Sequence, residues 1–308
     1  MITSASDIRK VLIAGAGTMG QQIAMLFARH GRQVVIYDLS QEILDKSGAG
    51  IEKLLSIAVD SGEIDSDTRA AISSRITFER DMASAAVNAD LVSESIPESP
   101  ALKGSLFREL HNYCPQHALF TTNTSTLVPS QFAADTGRPG KLCALHFHYP
   151  TDSNRVVDIM PHPGTESGVG PLLMELMKEM QMIPIFLARE KSSYVFNTLL
   201  TSLIDSAVGL VADGVASVED VDRSWMGVMH TEVGPFGIMD AVSLATLYKI
   251  NEDWVQRTKD PRARRHVEFL QPYIDAGKTG THCGEGFYTY PNPAFARPDF
   301  LVAANDEK

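Results

Sequence analysis

The sequence predicts a doubly wound α/β domain followed by an all-helical domain, on three observations. Short β-branched runs alternate with helical stretches from Arg9 to Arg189, a glycine-rich turn joins the first strand to the first helix, and beyond residue 190 the strand signal gives way to long apolar-periodic stretches. The expected domains are residues 1–189 and 190–308.

The elements follow in order. "KVLIAG" (10–15) is an apolar strand, "GQQIAMLFARHG" (20–31) a helix, "QVVIYD" (33–38) a second strand and "SQEILDKSGAGIEKLLSIAVDSG" (40–62) a long helix, which is the strand, helix, strand pattern of a parallel sheet. Further buried-strand candidates are "RITF" (75–78), "DLVSES" (90–95), "ALFTTN" (118–123), "LCALHF" (142–147), "VVDIM" (156–160) and "IPIFLA" (183–188), with helical windows near 102–113 and 170–180. The helical domain rests on "YVFNTLLTSLIDSAVGLVADG" (194–214), "SVEDVDRSWMGV" (217–228) and "GPFGIMDAVSLATLYKI" (234–250). Only the tail after Gly286 reads as irregular, and no repeat or low-complexity tract interrupts the pattern.

At 308 residues the chain is long enough for two buried cores. Its three cysteines, Cys114, Cys143 and Cys283, odd in number and far apart in sequence, make neither a disulfide framework nor a CxxC or zinc pattern, so a reduced, cytoplasmic setting is expected. The N-terminus lacks a basic start followed by an apolar run, and no window approaches the ~18 to 20 apolar residues of a membrane span. A soluble protein is expected. The formal charge of −11 repels nucleic acid and anionic membranes, so any anionic ligand must be held by local dipoles or a few placed cations.

Gly15, Gly17 and Gly20 stand in GxGxxG spacing between the first strand and the first helix, and Asp38 closes the second strand. Alone, such spacing is often a plain glycine-rich turn. In this context Gly15 allows the tight turn, Gly17 lets a pyrophosphate approach, and Gly20 permits close packing, with Thr18 and Met19 opening a helix whose N-terminus faces the phosphates. Asp38 can accept both hydroxyl protons of an adenosine ribose and would repel a 2′-phosphate, which favours NAD over NADP. The plainer reading of Asp38 is a carboxylate at a helix start beside Ser40.

In "ALHFHYPTDSNRVVDIMPHP", His146 and His148 lie two apart on a strand and therefore share a face, and Asp158 follows twelve residues after His146. A zinc site would need a third ligand, and neither Asp158 nor His162 completes a known zinc spacing, so no metal is expected. Two packed core histidines are the bland alternative. The strand "CALHFH" delivers its C-terminal end to the crevice where doubly wound sheets bind ligands, which favours chemistry. Oxidising an alcohol with a nicotinamide requires a base for the hydroxyl proton; an imidazole suits this, and a carboxylate on its other nitrogen fixes the tautomer. His146 and Asp158 supply such a dyad, with His148 as a neighbour without an assigned role.

"VLIAGAGTMG" (11–20), "NTSTL" (123–127), "LHFHYP" (145–150), "VFNTLL" (195–200), "GPFGIMD" (234–240) and "GEGFYTY" (284–290) together resemble, in order and spacing, the NAD-dependent L-3-hydroxyacyl-CoA dehydrogenases. The resemblance spans nearly the whole chain. It implies a Rossmann domain followed by a helical dimerisation domain, a homodimer of fatty acid metabolism, and an active site in the cleft between the domains. By position it makes His146 the general base and puts Asp158 where the family has a glutamate. Ser125 matches the serine near substrate and nicotinamide, Asn197 the helical asparagine that bonds substrate, and Glu98, Lys103 and Asn123 positions on the cofactor side. Otherwise Ser125 would be a turn serine, and Glu98 and Lys103 ordinary surface charges.

Three departures mark a divergent branch. Tyr149 follows "HFH" where the family has asparagine after "HFF", Asp158 is about one methylene shorter than glutamate so that the strand must approach or a water must bridge, and His282 replaces a common lysine. The chain thereby resembles diketoreductase-like and gulonate- or carnitine-dehydrogenase-like relatives, and "MPHPGT" (160–165) looks like the gulonate enzymes. Residues 41–90, where the family binds coenzyme A, carry five basic residues (Lys46, Lys53, Arg69, Arg75, Arg80) against ten acidic ones. A short-chain 3-hydroxyacyl-CoA, with Lys53 meeting a CoA phosphate, is the first expectation. A hydroxy acid or diketo compound without CoA is the second, and a non-catalytic NAD-binding or lens-type structural protein the third; the joint presence of Ser125, His146, Asp158 and Asn197 opposes the third.

Overall fold

A computed structural model describes residues 2–302. Met1 and residues 303–308, the ends of the two expected domains, lie outside the described residues. The chain forms two compact units that part between Val195 and Phe196.

The first unit is built on eight strands: β1 (Lys10–Ala14), β2 (Gln33–Tyr37), β3 (Ile76–Glu79), β4 (Leu91–Glu94), β5 (Leu119–Thr122), β6 (Leu142–Phe147), β7 (Val156–Pro161) and β8 (Ile183–Phe186). They form one sheet in the order β3-β2-β1-β4-β5-β6-β7-β8. The strands read from the sequence are all present. Most are buried on both faces, which is why they appeared as continuous apolar runs rather than alternating ones.

The sheet is parallel-dominated, as the strand, helix, strand pattern predicts, with one antiparallel pairing that the pattern did not show. β1 to β6 are parallel to one another, but β7 runs antiparallel to β6, and β8 is parallel to β7. The reason is the length of the connection. Residues 148–155 join β6 to β7, and a parallel crossover needs about a dozen residues or more, usually a helix.

Helices cover both faces. On one, Ile13, Leu145 and Ile159 of the sheet pack with Ile23 and Phe27 of α1 (Thr18–Arg29), Leu44, Ile51 and Leu55 of α2 (Gln41–Asp60), and Leu173 and Leu176 of α6 (Val169–Glu179). On the other, Leu12, Val92 and Phe120 pack with Phe107 and Leu110 of α5 (Pro100–Tyr113) and with Ala85 and Ala86 of α4 (Met82–Ala86). Adjacent β1 residues thus serve opposite faces, as the period of two requires. Short helices α3 (Ser66–Ser73) and α4 did not register as apolar periods, although Asp65 and Asp81 cap them by accepting from the Thr68 and Ser84 backbone N–H groups.

The second unit is helical: α7 (Phe196–Ala212), α8 (Val218–Met229), α9 (Pro235–Val242), α10 (Leu244–Thr258) and α11 (Pro261–Asp275). The stretch 234–250 is two helices, broken at Ser243, where φ is +93°. α11 escaped the sequence reading because its buried residues are few, Ala263, His266 and Leu270; its start signal was the pair Asp260 and Pro261. The irregular tail is held by two buried carboxylates. Asp222 accepts from the N–H groups of Phe236 and Gly237 and from the Tyr288 hydroxyl, while Asp240 accepts from the N–H groups of Phe287 and Tyr288 and from the Tyr290 hydroxyl. Among the described residues, no helix is long and apolar enough to cross a membrane.

Candidate active site

The dinucleotide turn shows three glycines required for three different reasons. Gly15 has φ +109°, and a Cβ there would lie 2.6 Å from the Ser95 carbonyl oxygen, so the β1 and β4 turns approach too closely for a side chain. At Gly20 a Cβ would sit 1.9 Å from the Gly15 carbonyl oxygen, which fixes the start of α1 against the turn. At Gly17, by contrast, a Cβ would meet nothing within 4 Å. This glycine leaves open space at the N-terminus of α1, where no side chain caps the helix and Gly17 and Thr18 are exposed. Met19 is half-buried. An open, uncapped helix start has N–H groups directed at an anion, so the residues present fit a dinucleotide pyrophosphate.

Asp38 follows β2 directly. Its Oδ2 accepts from the Ala16 N–H at 3.1 Å and its Oδ1 from the Ser40 N–H at 3.0 Å, while the Ser40 hydroxyl takes the cap position of α2. An ionised carboxylate has about four acceptor sites. The turn therefore orients Asp38 with lone pairs to spare for ribose hydroxyls.

A buried charged network joins the ends of β4 and β5. Glu94 accepts from Lys103 Nζ at 2.5 Å, from the Thr122 hydroxyl at 2.6 Å and from the Ile96 N–H at 2.7 Å. Lys103, 1% exposed, also donates to the Ile96 carbonyl at 3.1 Å and lies 3.4 Å from Glu98. Its three N–H donors thus face protein acceptors. Glu98 in turn accepts from the Thr124 hydroxyl and from the Ser125 N–H at 2.7 Å, which sets the loop carrying half-buried Ser125. Asn123 Oδ1 accepts from the Phe147 N–H at 2.8 Å, binding this loop to the end of β6.

His146 and Asp158 are direct partners in the antiparallel β6–β7 register. Directly opposed residues hold their Cβ atoms about 4.5 to 5.5 Å apart, a span that an aspartate closes without a water. His146 Nδ1 lies 3.1 Å from Asp158 Oδ2. Because a carboxylate only accepts, Nδ1 carries the proton and Nε2 is the basic nitrogen of the neutral ring. Burial lowers the His146 pKa, against the opposing effect of the Asp158 hydrogen bond. Burial alone would raise the Asp158 pKa, but hydrogen bonds from His146 and His148 outweigh it and hold the carboxyl below its ordinary value.

Two further side chains complete the surroundings. His148 Nε2 lies 3.0 Å from the same Asp158 Oδ2. Tyr194, 1% exposed, stacks on the His146 ring at 4.5 Å between centroids and 8° between planes, and its hydroxyl donates to the Thr124 carbonyl at 2.8 Å. Sequence reasoning missed Tyr194, since a tyrosine before a helix carries no signal of what its ring will cover. His146, His148 and Asp158 also offer two imidazole nitrogens and a carboxylate oxygen within 4.8 Å of one another, a donor set that a divalent cation accepts; in this structure both nitrogens meet Asp158 directly.

The structure thus gathers Asn123, Glu98, Ser125, His146 and Asp158 through shared hydrogen bonds and neighbouring strand ends. Asn197 belongs to the second unit, half-buried in the first turn of α7. Lys53 is exposed on α2. Nearby cations are engaged, Lys46 with Glu42 at 2.6 Å and Arg69 with Glu52 at 2.9 Å, whereas Lys53 forms no ion pair among the described residues. Tyr149 is exposed beyond β6.

Residues 10–191 match the family model of the 3-hydroxyacyl-CoA dehydrogenase NAD binding domain, and residues 194–290 match that of the 3-hydroxyacyl-CoA dehydrogenase C-terminal domain. The mitochondrial hydroxyacyl-coenzyme A dehydrogenase of Sus scrofa is 30% identical over 94% of this chain and 95% of its own, and the 3-hydroxybutyryl-CoA dehydrogenase of Clostridioides difficile is 29% identical over 91% and 99%. Among solved structures, a diketoreductase acting on dicarbonyl compounds is similar with a TM-score of 0.87, at 36% identity over 94% of this chain and all of that one. The (S)-3-hydroxybutyryl-CoA dehydrogenase of Ralstonia eutropha is similar with a TM-score of 0.80, at 25% identity over 92% and 100%. The glycine-rich turn, the aspartate that closes β2 and the two matched domains lead to one conclusion: the chain belongs to the 3-hydroxyacyl-CoA dehydrogenase family of NAD-dependent oxidoreductases.

Proposed function

We propose that this enzyme interconverts a short-chain L-3-hydroxyacyl-CoA and the 3-oxoacyl-CoA, with His146 as general base. The observation that carries the reading is the His146–Asp158 cross-strand hydrogen bond, at the C-terminal edge of the sheet that also holds the dinucleotide turn. Bound NAD+ supplies the hydride acceptor. His146 Nε2 takes the hydroxyl proton as the C3–H bond breaks and the electron pair of the O–H bond becomes the new C=O bond; Asp158 stabilises the imidazolium that results. In the reverse direction the same imidazolium protonates the developing alkoxide. Ser125 and Asn197 are the proposed substrate contacts, and Gly15, Gly17, Thr18, Met19, Gly20, Asp38, Glu98, Lys103 and Asn123 form or support the proposed cofactor pocket.

A second reading has its own support. The diketoreductase likeness and the pairing of Lys46 on α2 and Arg69 on α3 with carboxylates favour a hydroxy acid or diketo substrate without CoA. A cytoplasmic homodimer is also proposed. Its support is the exposed apolar residues of the helical unit, Leu199, Val215, Val228 and Met229, together with three free cysteines.

The base assignment predicts that His146→Gln lowers kcat by a factor on the order of 10² to 10⁴ with NADH affinity little changed. Since His146 must be neutral to act and burial lowers its pKa, the acid limb of kcat/KM for oxidation should have its midpoint below that of a free imidazole. A profile already falling at pH 7 to 8, or a fully active glutamine variant, contradicts the assignment.

Coenzyme choice tests Asp38. NADH should be strongly preferred over NADPH, because a 2′-phosphate would meet the ionised carboxylate and residues 39 and 40 are leucine and serine. Asp38→Ser should narrow the preference, and equal use of both coenzymes by the unaltered enzyme counts against the ribose role.

For the substrate, kcat/KM should be at least about tenfold higher with acetoacetyl-CoA than with acetoacetyl-N-acetylcysteamine, since a charge-assisted phosphate contact contributes roughly 1.5 to 3 kcal/mol. Lys53→Ala should remove most of that difference. Parity between the two thioesters transfers the assignment to the substrate without CoA.

Light scattering of the protein recovered from the soluble fraction of a lysate should give about twice the 33.6 kDa chain mass. A mass of one chain at micromolar concentration rejects the homodimer.

A further inference from the structure

We infer that His148 is a positioning residue for the base: it holds the Asp158 carboxylate from a second side, so that the carboxylate fixes the proton on His146 Nδ1. This rests on His146 being the base, as proposed above.

The geometry begins with register. His146 is opposite Asp158, and Phe147 opposite Val157, so His148 continues one residue beyond β6 on the same face as His146 and diagonal to Asp158. A long side chain bridges such a diagonal, and the His148 ring does: its Nε2 lies 3.0 Å from Oδ2, beside the 3.1 Å contact from His146 Nδ1. Both imidazoles therefore meet one oxygen. Both must donate to it, because an ionised carboxylate has no proton to give, and this places the His148 proton on Nε2.

The other oxygen explains why this matters. Asp158 Oδ1 is buried and has no hydrogen-bond partner among the described residues. No hydrogen bond on that side opposes rotation about Cβ–Cγ, a torsion that is broad in aspartate. With one donor on Oδ2 the carboxylate could swing and let His146 exchange tautomers. A second donor, arriving from the edge of a ring set at 71° to the His146 ring with centroids 4.6 Å apart, removes that freedom. The donor comes from a residue that the adjoining strand must place there, so the effect is built into the backbone.

Three substitutions and a spectrum test the inference. His148→Phe, which keeps a ring and removes the donor, should lower kcat about ten- to a hundredfold, the range seen for residues that orient a reactive group, with KM and the NADH dissociation constant within about twofold of their original values. His148→Gln keeps an N–H on a flexible stem and should retain most of the rate. Asp158→Glu in the His148→Phe background should regain activity, because the longer carboxylate reaches and packs against His146 by itself. In the unaltered enzyme, imidazole nitrogen NMR should show His146 protonated on Nδ1 and His148 on Nε2 near neutral pH, and the His146 signals of the His148→Phe protein should report a tautomer mixture.

Several results overturn the inference: a normal kcat in His148→Phe, a loss confined to KM, glutamine performing as badly as phenylalanine, or His148 protonated on Nδ1 alone in the unaltered enzyme. The NMR reading applies even if the phenylalanine variant does not fold. An active His146→Gln enzyme would instead defeat the base assignment itself, and the two failures are thereby told apart.

Discussion

The site depends on the antiparallel register of β6 and β7. Pairing His146 with Asp158 sets the distance between an imidazole and a carboxylate by backbone hydrogen bonds rather than by side-chain packing. A slip of one residue would put Phe147 opposite Asp158 and send one member of the pair to the other face of the sheet. Register is resistant to such a slip here because the flanking residues Leu145, Phe147, Val157 and Ile159 are all buried. The burial that pins the register also excludes water from the dyad and lowers the His146 pKa, so one packing decision sets both position and protonation state.

The same edge of the sheet carries the nucleotide end, and hydrogen bonds tie the two together. Gln22 of α1 receives the Thr151 N–H at 3.0 Å, which fastens the β6–β7 connection to the helix that begins at the dinucleotide turn. Asn123 joins the β5 loop to Phe147, and Glu98 joins that loop to Lys103 and Glu94. A reaction between cofactor and substrate is sensitive to displacements of about 1 Å, so fixed distances among these loops bear directly on rate. The buried Glu94–Lys103 pair is best understood in that sense. Buried ion pairs add little net stability, but removing one partner strands the other charge, which keeps the loops in a single arrangement.

An acidic enzyme in a family named for a coenzyme A substrate presents an electrostatic constraint of its own. With a formal charge of −11, binding of an anionic cofactor calls for dipoles and open N–H groups, which the open space at Gly17 and the uncapped start of α1 fit. Lys46 of α2 and Arg69 of α3 are matched by Glu42 and Glu52, which leaves Lys53 as the α2 cation without an ion pair among the described residues.

The sequence by itself determined the elements and the nucleotide turn. Most of the eight strands were legible because burial on both faces demands continuous apolar residues, and the GxGxxG turn because a positive φ at Gly15, a close contact at Gly20 and open space at Gly17 each exclude or disfavour a side chain. His146 and Asp158 were legible as a pair from their types and from a family likeness. Other features were decided only in three dimensions. Whether β7 returned antiparallel depended on connection length and on which edge of β6 was open, and only that outcome let an aspartate reach the imidazole without a water. Tyr194 and His148 acquire meaning from what they touch, a ring face and a carboxylate oxygen brought close by chain segments distant in sequence. Local propensity and periodicity report the backbone's own preferences; contacts across strands depend on closure of the whole sheet, and no window of sequence contains them.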